Sequence, residues 1–321
     1  MKENRALIVF AILCVAVLAP PLAAQSASTA GWPRTVTDDM GTQIRISRKP
    51  QKIVSVTLPT DEILLALVSK DRLAGVTIFS EDAEVSNVAS QVFDIPHKVT
   101  LNGEVILAIQ PDLLFVADWS QAASVKQLRD AGITVYQFKS PLTVREIEER
   151  IAKIATAVGE EEKARKLIEW MDARLAGVAA RVAAIPPDAR LSVMDYNTWG
   201  TSMGRGSSWD EIVRLAGLRN AVADLKADQW GSVPLSREKL LELDPDILML
   251  PAWVYGEPAG SEKFFRQIAG EPALRGMRAI REGRVYRMTE STKTATSQYI
   301  VFAVEELARL AYPGLFTQAT R

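Results

Sequence analysis

Cysteine and histidine are almost absent from this sequence, which has one of each among 321 residues. The cysteine, Cys14, lies in an apolar run near the N-terminus, so the rest of the chain cannot use thiol chemistry, thiolate metal ligands or disulfide bonds. A site for bare zinc or manganese needs several histidine and carboxylate ligands, which one histidine cannot supply. We interpret His97 as a loop residue, although haem ligation by His or Tyr stays open.

An excess of charge of one sign is also absent. The chain has 38 Lys and Arg against 39 Asp and Glu, for a formal net charge of −1, and it contains no long basic run. This balance argues against nucleic acid as the main partner.

Common catalytic motifs are missing as well. There is no Gly-x-Ser-x-Gly elbow and no Walker lysine motif. The tripeptide Gly204-Arg205-Gly206 begins like a dinucleotide loop but lacks the third glycine. We therefore expect no catalytic residues and no enzyme activity, and a secreted α/β enzyme stays open as the rival class.

The N-terminal residues have the layout of an export signal. Lys2 and Arg5 precede an apolar run over residues 6–19, and small residues follow up to Ala24. A short basic start, a short apolar core and a small-residue exit are typical of secretory signals. The apolar run is shorter than the roughly 20 residues that span a bilayer. We predict cleavage after Ala24, with Ala30 as the alternative, and export to the periplasm.

A lipid anchor is not expected. A lipoprotein signal needs a small residue directly before its cysteine, whereas Leu13 precedes Cys14. The mature chain would then contain no cysteine.

From residue 51 onward, short apolar runs alternate with helical patterns, after an edge hairpin predicted over 34–50. Strands are predicted at 53–56, 73–77, 112–117, 133–138, 191–194, 247–250 and 285–288, and helices at 60–68, 104–109, 124–131, 143–158, 160–185, 208–215, 238–243 and 298–311. Thr60 is predicted to cap the first of these helices. This alternation indicates parallel strands with helical crossovers and hence an α/β fold.

The helical segment 160–185 has an apolar stripe at spacings of three and four residues. At 1.5 Å per residue it would extend nearly 40 Å, long enough to join two lobes. An ordinary long core helix within one domain is the alternative.

An internal repeat is the most specific feature of the chain. Residues 99–116 read VTLNGEVILAIQPDLLFV and residues 233–250 read VPLSREKLLELDPDILML, with seven of 18 positions identical at a constant offset of 134. We infer that the two halves share a supersecondary unit. Asn102 and Ser236 are good N-cap residues for the two repeated helices.

Each repeat also places a glutamate two positions after the cap, Glu104 in the first and Glu238 in the second. A carboxylate in the first helical turn meets the positive end of the helix dipole, which is worth about 0.3–1 kcal/mol. The two glutamates could do no more than this, or they could form a matched acidic pair for a partner with matching basic groups.

Several segments carry a resemblance to a known family: TVTDDMGTQIRISRKPQKIVSV at 35–56, PTDEILLAL at 59–67, the two repeats, and EGRVYRM at 282–288. They resemble the periplasmic substrate-binding proteins of ABC importers, in the subgroup that binds ferric siderophores, vitamin B12 and haem. The similarity extends from about residue 35 to about residue 313.

The resemblance implies the class III fold of periplasmic binding proteins: α/β, with two Rossmann-like lobes that contain central parallel sheets, a single long α-helix that joins them, and the ligand between the lobes. We expect a signal peptide at 1–24, an N-terminal arm with the hairpin at 25–50, the first lobe at 51–142, a helical segment at 143–186 that includes the inter-lobe helix 160–185, and the second lobe at 187–321.

The resemblance also implies partners. A member of this family delivers its ligand to a permease driven by cytoplasmic ATPases, and one glutamate in each lobe docks onto arginines of the permease. By motif these glutamates match Glu104 and Glu238. We expect a monomer with no cofactor and no metal site of its own.

Ligands of α/β sheets gather at the carboxyl ends of the strands, so the contact residues are expected there. The candidates are Thr60, Phe79, Trp119, Trp199, Arg205, Trp230, Trp253, Tyr255 and Lys293. The aromatic rings suit a large amphipathic chelate, and the cations would suit an anionic one. We expect a ferric siderophore or a similar iron chelate, with cobalamin and haem as alternatives.

Overall fold

The computed structural model of this chain describes residues 31–317. The predicted signal peptide at 1–24, including Cys14, lies outside the described residues. The strands are β1 (Arg34–Thr37), β2 (Gln43–Ile46), β3 (Ile53–Ser55), β4 (Leu73–Thr77), β5 (His97–Val99), β6 (Leu113–Ala117), β7 (Val135–Phe138), β8 (Ser192–Asp195), β9 (Thr201–Met203), β10 (Arg219–Asn220), β11 (Ser232–Pro234), β12 (Ile247–Leu250) and β13 (Val285–Arg287).

Helices lie between most of these strands. They are α1 (Leu58–Leu67), α2 (Gly103–Ile109), α3 (Ala122–Asp130), α4 (Val144–Val158), α5 (Glu161–Val182), α6 (Ser208–Leu215), α7 (Arg237–Leu243), α8 (Gly260–Ala269), α9 (Arg278–Arg281), α10 (Glu290–Lys293) and α11 (Ile300–Ala311). Within the described part of the chain, no helix is both long and apolar enough to span a membrane.

Two parallel sheets organise the fold. The first has the order β5-β4-β3-β6-β7 and the second the order β10-β8-β12-β13, and every pairing within them is parallel. The pairs β1–β2 and β9–β11 are separate antiparallel ribbons. The predicted α/β class with parallel sheets is confirmed, because helical crossovers separate strands that pair side by side.

Helix α5 connects the part of the chain that contains the first sheet to the part that contains the second. Its 22 residues would extend about 33 Å. The helix packs against α1 and α4 on one side of this division and against α6 and α11 on the other. Met171 and Val178 are buried in these contacts, and Arg174 forms an ion pair with Glu305 of α11 at 2.6 Å. The connection is therefore a packed helix that shares one hydrophobic core with both sheets.

The predicted start of the first helix is wrong. Helix α1 begins at Leu58, with Thr57 at the N-cap position and Pro59 in the first turn, where a missing N–H costs nothing. Thr60 lies inside the helix and is fully buried, and its hydroxyl accepts a hydrogen bond from the Thr57 hydroxyl at 3.0 Å. His97, expected in a loop, is the exposed first residue of β5.

The repeat forms the same strand–helix–strand unit twice, as β5-α2-β6 and β11-α7-β12. The Asn102 side chain accepts a hydrogen bond from the Val105 N–H at 3.1 Å, and the Ser236 side chain accepts one from the Lys239 N–H at 3.2 Å. Both predicted N-caps are thus present. The surroundings differ, since β5 extends the first sheet whereas β11 pairs only with β9.

The aspartate of each repeat, Asp112 or Asp246, hydrogen-bonds to the start of the strand next to the one that follows the helix. Asp112 accepts hydrogen bonds from the Gln51 N–H and the Lys52 N–H at 2.8 and 3.1 Å, and Asp246 accepts one from the Ser192 N–H at 2.8 Å. Partial burial raises the pKa of each carboxyl, but these backbone donors and a nearby arginine outweigh burial and lower it overall. Each aspartate therefore ties its strand to the neighbouring strand's start.

Candidate functional site

A first cavity lies at the carboxyl ends of the strands of the first sheet. Its volume is about 430 Å³, and it is lined by Val56, Thr77, Phe79, Thr100, Leu101, Trp119, Ser120, Gln121 and Ser124. Phe79 and Trp119 expose 42% and 66% of their surface, so both rings are available to a ligand. None of the described residues that line it is charged. The wall is therefore aromatic and neutral.

A second cavity, of about 380 Å³, lies at the carboxyl ends of the strands of the second sheet. It is lined by Asp195, Asn197, Thr198, Trp199, Met203, Ser208, Trp209, Pro251, Trp253, Val254, Tyr255, Glu290, Lys293 and Thr294. The rings of Trp253 and Tyr255 form an edge-to-face pair with centroids 5.8 Å apart. Trp199 is 83% exposed and Tyr255 is 72% exposed. This wall combines aromatic surface with a small set of charged groups.

A tight turn holds Trp199 in its exposed position. The Asn197 side chain accepts hydrogen bonds from the N–H groups of Trp199 and Thr201, both at 3.1 Å. Gly200 adopts a φ of 73°, which favours glycine. The turn thus needs an Asn or Asp side chain at its first position and Gly at its fourth, while the side chain at its third position extends into solvent.

The same turn recurs at residues 228–232. Asp228 accepts hydrogen bonds from the N–H groups of Trp230 and Ser232, both at 2.8 Å, and Gly231 has a φ of 79°. Trp230 is 72% exposed, although it lines neither cavity. Turn geometry does not require tryptophan at the third position of either turn.

Lys293 lies in a buried charged cluster at the second cavity. Its ammonium nitrogen is 3.0 Å from Asp195 Oδ1, an ion pair without hydrogen-bond geometry, and 3.8 Å from Glu290 Oε2. Burial lowers the pKa of Lys293, but the two carboxylates outweigh burial and raise it overall, so the lysine is charged. Burial raises the pKa of Glu290, which also accepts a hydrogen bond from the Ala252 N–H at 3.2 Å.

Six of the nine predicted contact residues line the two cavities: Phe79, Trp119, Trp199, Trp253, Tyr255 and Lys293. Thr60, Arg205 and Trp230 line neither. Thr60 is buried in α1, and the Arg205 guanidinium donates to the Asp224 carboxylate and, at 3.1 Å, to the Ala223 carbonyl. The guanidinium of Arg205 is therefore paired with the segment that follows β10.

Asp195 was missed by the sequence analysis, although a usable signal existed. It is the last residue of β8, so it stands at the strand end where ligand contacts were expected. The small polar residues of the first cavity, such as Thr100, Ser120 and Ser124, gave no signal, because serine and threonine are common in any loop.

A chain of buried contacts connects the two cavities. The Asp61 carboxylate accepts a hydrogen bond from the N–H of Thr77, which lines the first cavity, at 2.9 Å. Next to it, Glu62 Oε1 accepts from the Asn87 amide at 2.8 Å, and that amide also donates to the Ser291 carbonyl at 2.7 Å, two residues before Lys293. Burial raises the pKa of both carboxyls. The two cavities thus flank one contact between the halves of the protein.

Glu104 and Glu238 are both exposed near the N-termini of α2 and α7. Neither forms an ion pair with any residue between 31 and 317. A hydrogen bond from Ser236 lowers the pKa of Glu238, which keeps this carboxyl ionised. Both glutamates are accessible to a partner. No group of three or more histidine, cysteine or acidic side chains among the described residues is arranged to hold a metal ion.

Comparison with known proteins gives a consistent result. A family model described as periplasmic binding protein matches residues 53–292. An uncharacterized ABC transporter substrate-binding lipoprotein of Bacillus subtilis, YvrC, is 28% identical over 295 residues, which cover 89% of this chain and 88% of that protein. A cobalamin-binding protein of Halobacterium salinarum is 27% identical over 239 residues, which cover 72% of this chain and 63% of that protein.

Solved structures agree at the level of the fold. The molybdate periplasmic binding protein MolA of Haemophilus influenzae superposes with a TM-score of 0.73 at 20% identity, over 89% of this chain and 94% of that protein. At this identity the match shows that the two proteins share an architecture. It does not show that they bind the same ligand.

Proposed function

Because this chain belongs to the periplasmic binding protein family, we propose that it is the substrate-binding component of an ABC importer that captures a ferric siderophore or a similar bulky metal chelate. One observation carries this proposal: two aromatic-lined cavities lie at the carboxyl ends of two parallel sheets and flank one contact. Such a pair suits a ligand held between two lobes, with the lobe boundaries predicted from the sequence. Cobalamin and haem are the alternative ligands.

The size and chemistry of the cavities support a large amphipathic ligand. Each cavity is within the range of about 300–1,000 Å³ that is typical of small-molecule sites. The exposed rings of Trp119, Trp199 and Tyr255 offer flat apolar surface, which would otherwise be left in water. A relative that binds cobalamin supports the corrinoid alternative.

The location and the partners are also proposals. We propose that the export signal at 1–24 directs the chain to the periplasm and is cleaved, without lipidation at Cys14. The relative YvrC is described as a lipoprotein, so mass spectrometry of the processed N-terminus is the decisive measurement. A monomer is expected to present Glu104 and Glu238 to the permease, which couples to cytoplasmic ATPases.

The test is a tryptophan-fluorescence titration of the purified, ligand-free protein with a ferric siderophore, cyanocobalamin and haemin. Trp119, Trp199 and Trp253 line the cavities, so a bound chelate should quench the emission in a saturable, stoichiometric way. A denatured sample provides the control for absorption by the chelate. An absence of saturable quenching with all three would contradict the ligand class, and turnover of an ester or phosphate substrate would favour the rival enzyme class.

A further inference from the structure

We propose that the binding site selects chelates without net negative charge, because Lys293, the only cation among the described residues of its two walls, is already neutralised by Asp195 and Glu290. This inference rests on the proposed function, since it concerns the ligand of the same site. It assigns the ligand class as neutral chelates, such as a ferric trihydroxamate or a corrinoid, in preference to tris-catecholate complexes or haem.

The charges on the two walls are few. The residues that line the first cavity include no charged side chain. Those that line the second include one cation, Lys293, and two carboxylates, Asp195 and Glu290. The combined walls therefore carry no net positive charge whether Glu290 is ionised or protonated. An anionic ligand would therefore meet no net electrostatic attraction on these walls.

Lys293 cannot be released cheaply to serve an anion. Its side chain is 8% exposed and that of Asp195 is 6% exposed, and their charged atoms are 3.0 Å apart. Drawing the lysine towards a ligand anion would leave Asp195 buried and unpaired, which is strongly unfavourable. The ion pair is therefore a fixed part of the wall and does not act as an open anion site.

Other cations near the site are also balanced. A third cavity shares residues 197–199 and Val254 with the second and is lined by Arg237, Lys263 and Glu257. Arg237 pairs with Glu271 at 3.2 Å. Lys263 remains without an ion pair in the described part of the chain, but it shares its wall with Glu257. Lys263 lies outside the residues that line the two walls, so it provides the control for a cation that is not part of the cluster.

The chemistry of the candidate chelates differs in charge. A ferric trihydroxamate is neutral because three monoanionic groups balance iron(III), and cyanocobalamin is also neutral. A ferric tris-catecholate keeps a large net negative charge, and haem carries two carboxylates. Stacking on Trp119, Trp199 and Tyr255 suits all of these ligands, so charge is the property by which these walls can discriminate among them.

The test compares affinities of the wild-type mature protein for ferrichrome, cyanocobalamin, ferric enterobactin and haemin at low and high salt. We expect at least one neutral chelate to bind about tenfold or more tightly than either anionic one. Equal or tighter binding of an anionic chelate would overturn the inference and leave the proposed function intact. If none of the four binds, the proposed function fails and the inference with it.

A variant then tests the role of the cluster. The double substitution Asp195→Asn with Glu290→Gln removes both carboxylates beside Lys293, so an anionic ligand can take their place as the partner of the buried ammonium group. The affinity for ferric enterobactin relative to that for the neutral chelates should therefore rise about tenfold. Lys263→Ala should leave the selectivity unchanged. Circular dichroism checks folding, and if the double variant does not fold, the single Asp195→Asn variant, which removes the carboxylate 3.0 Å from Lys293, replaces it with the same expected direction. Unchanged selectivity in a folded variant would contradict the role of the cluster.

Discussion

Ser297 donates a hydrogen bond to the Glu62 carboxylate, and this buried contact joins residues that are 235 positions apart. Glu62 belongs to α1, which lies beside the first sheet. Ser297 lies three residues before α11, and α11 packs against α5 and α6. Gln298 adds a second hydrogen bond, from its side-chain N–H to the Glu62 carbonyl at 2.8 Å. We call this contact of Glu62 with Ser297 and Gln298 the joint. Because α5 also packs against both halves, we expect only small movements between them when a ligand binds.

The first prediction concerns this joint. Ser297→Ala should lower the free energy of unfolding by about 1–3 kcal/mol, because a buried carboxylate loses a donor. Urea unfolding measures the change. Ser140→Ala is the matched control, since that hydroxyl donates to the exposed Asp118 at 3.2 Å, and it should cost less than about 0.5 kcal/mol. An equal loss of unfolding free energy in the two variants would show that burial adds nothing to the stabilisation by the Ser297–Glu62 hydrogen bond.

The second prediction concerns pH. Partial burial and then the charge of Asp172 raise the pKa of Glu148 to about 7, above its value in the unfolded chain. The folded state therefore holds a proton that the unfolded state has lost, and this stability is present below the unfolded pKa and is lost as pH rises through about 7. Glu148→Gln should match wild type near pH 4 and exceed it above about pH 8.

Solvent screening limits that gain to about 1 kcal/mol or less. Urea unfolding at several pH values measures this gain, with Glu84→Gln as the control, since Glu84 is exposed and forms no ion pair among residues 31–317. A Glu148→Gln gain that is independent of pH would mean that ionisation of this carboxyl is not the cause.

The third prediction uses the repeat. Gln110 and Asp244 occupy equivalent positions and have left-handed φ angles of 52° and 39°. Gln110→Gly should raise the free energy of unfolding by about 0.5–1 kcal/mol, because glycine adopts this conformation without strain. Asp244→Gly should lower it by about 1 kcal/mol, because Asp244 accepts a hydrogen bond from the Arg278 N–H at 2.6 Å. Urea unfolding that gives the same sign for both would refute the distinction.

The fourth prediction concerns the ligand. Trp199→Ala should weaken binding of the chelate identified by titration about tenfold, because an exposed ring on a rigid turn loses its stacking surface. The melting temperature should stay within error of wild type, since the ring is exposed. Phe93→Ala is the control, as Phe93 is 76% exposed and lines neither cavity. Affinity is measured by isothermal titration calorimetry. The same affinity for both variants would show that Trp199 does not contact the ligand.

The fifth prediction concerns transport. Glu104→Ala combined with Glu238→Ala should leave chelate affinity unchanged but reduce uptake about tenfold or more, because both docking carboxylates are lost. Uptake is measured in proteoliposomes that contain the cognate permease and ATPase. Glu84→Ala with Asp188→Ala, two exposed acids without ion pairs among residues 31–317, provides the control. Transport at the wild-type rate would show that the glutamates serve only their own helices.

Much of the fold was predictable because its signals are local. The repeat predicted a supersecondary unit shared by the two halves, with a helix followed by a strand in each, and the N-caps at Asn102 and Ser236 depend on contacts only three residues away. The first-helix cap at Thr60 was wrong for a local reason too, since Pro59 is favoured in a first turn. The short strands β5, β9, β10 and β11 were not predicted, because runs of two or three residues carry no clear period.

The site was predictable only in part. The rule that ligands gather at strand ends identified the cavity residues Trp119, Trp199 and Tyr255, because the rule depends on strand direction alone. It could not tell that Trp230 would occupy an identical turn yet line neither cavity. Position relative to a cavity depends on how distant segments pack, which sequence spacing does not encode.

The sequence by itself determined the α/β class, the doubled unit and the aromatic residues at the strand ends, because hydrophobic period and turn chemistry act over a few residues. Only the tertiary structure decided the electrostatics of the site. Lys293 was predicted to attract an anion, but the fold brings Asp195, from 98 positions earlier in the chain, to 3.0 Å from its ammonium group. A charge acts through space and not along the chain, so its meaning depended on which distant residue the fold placed beside it.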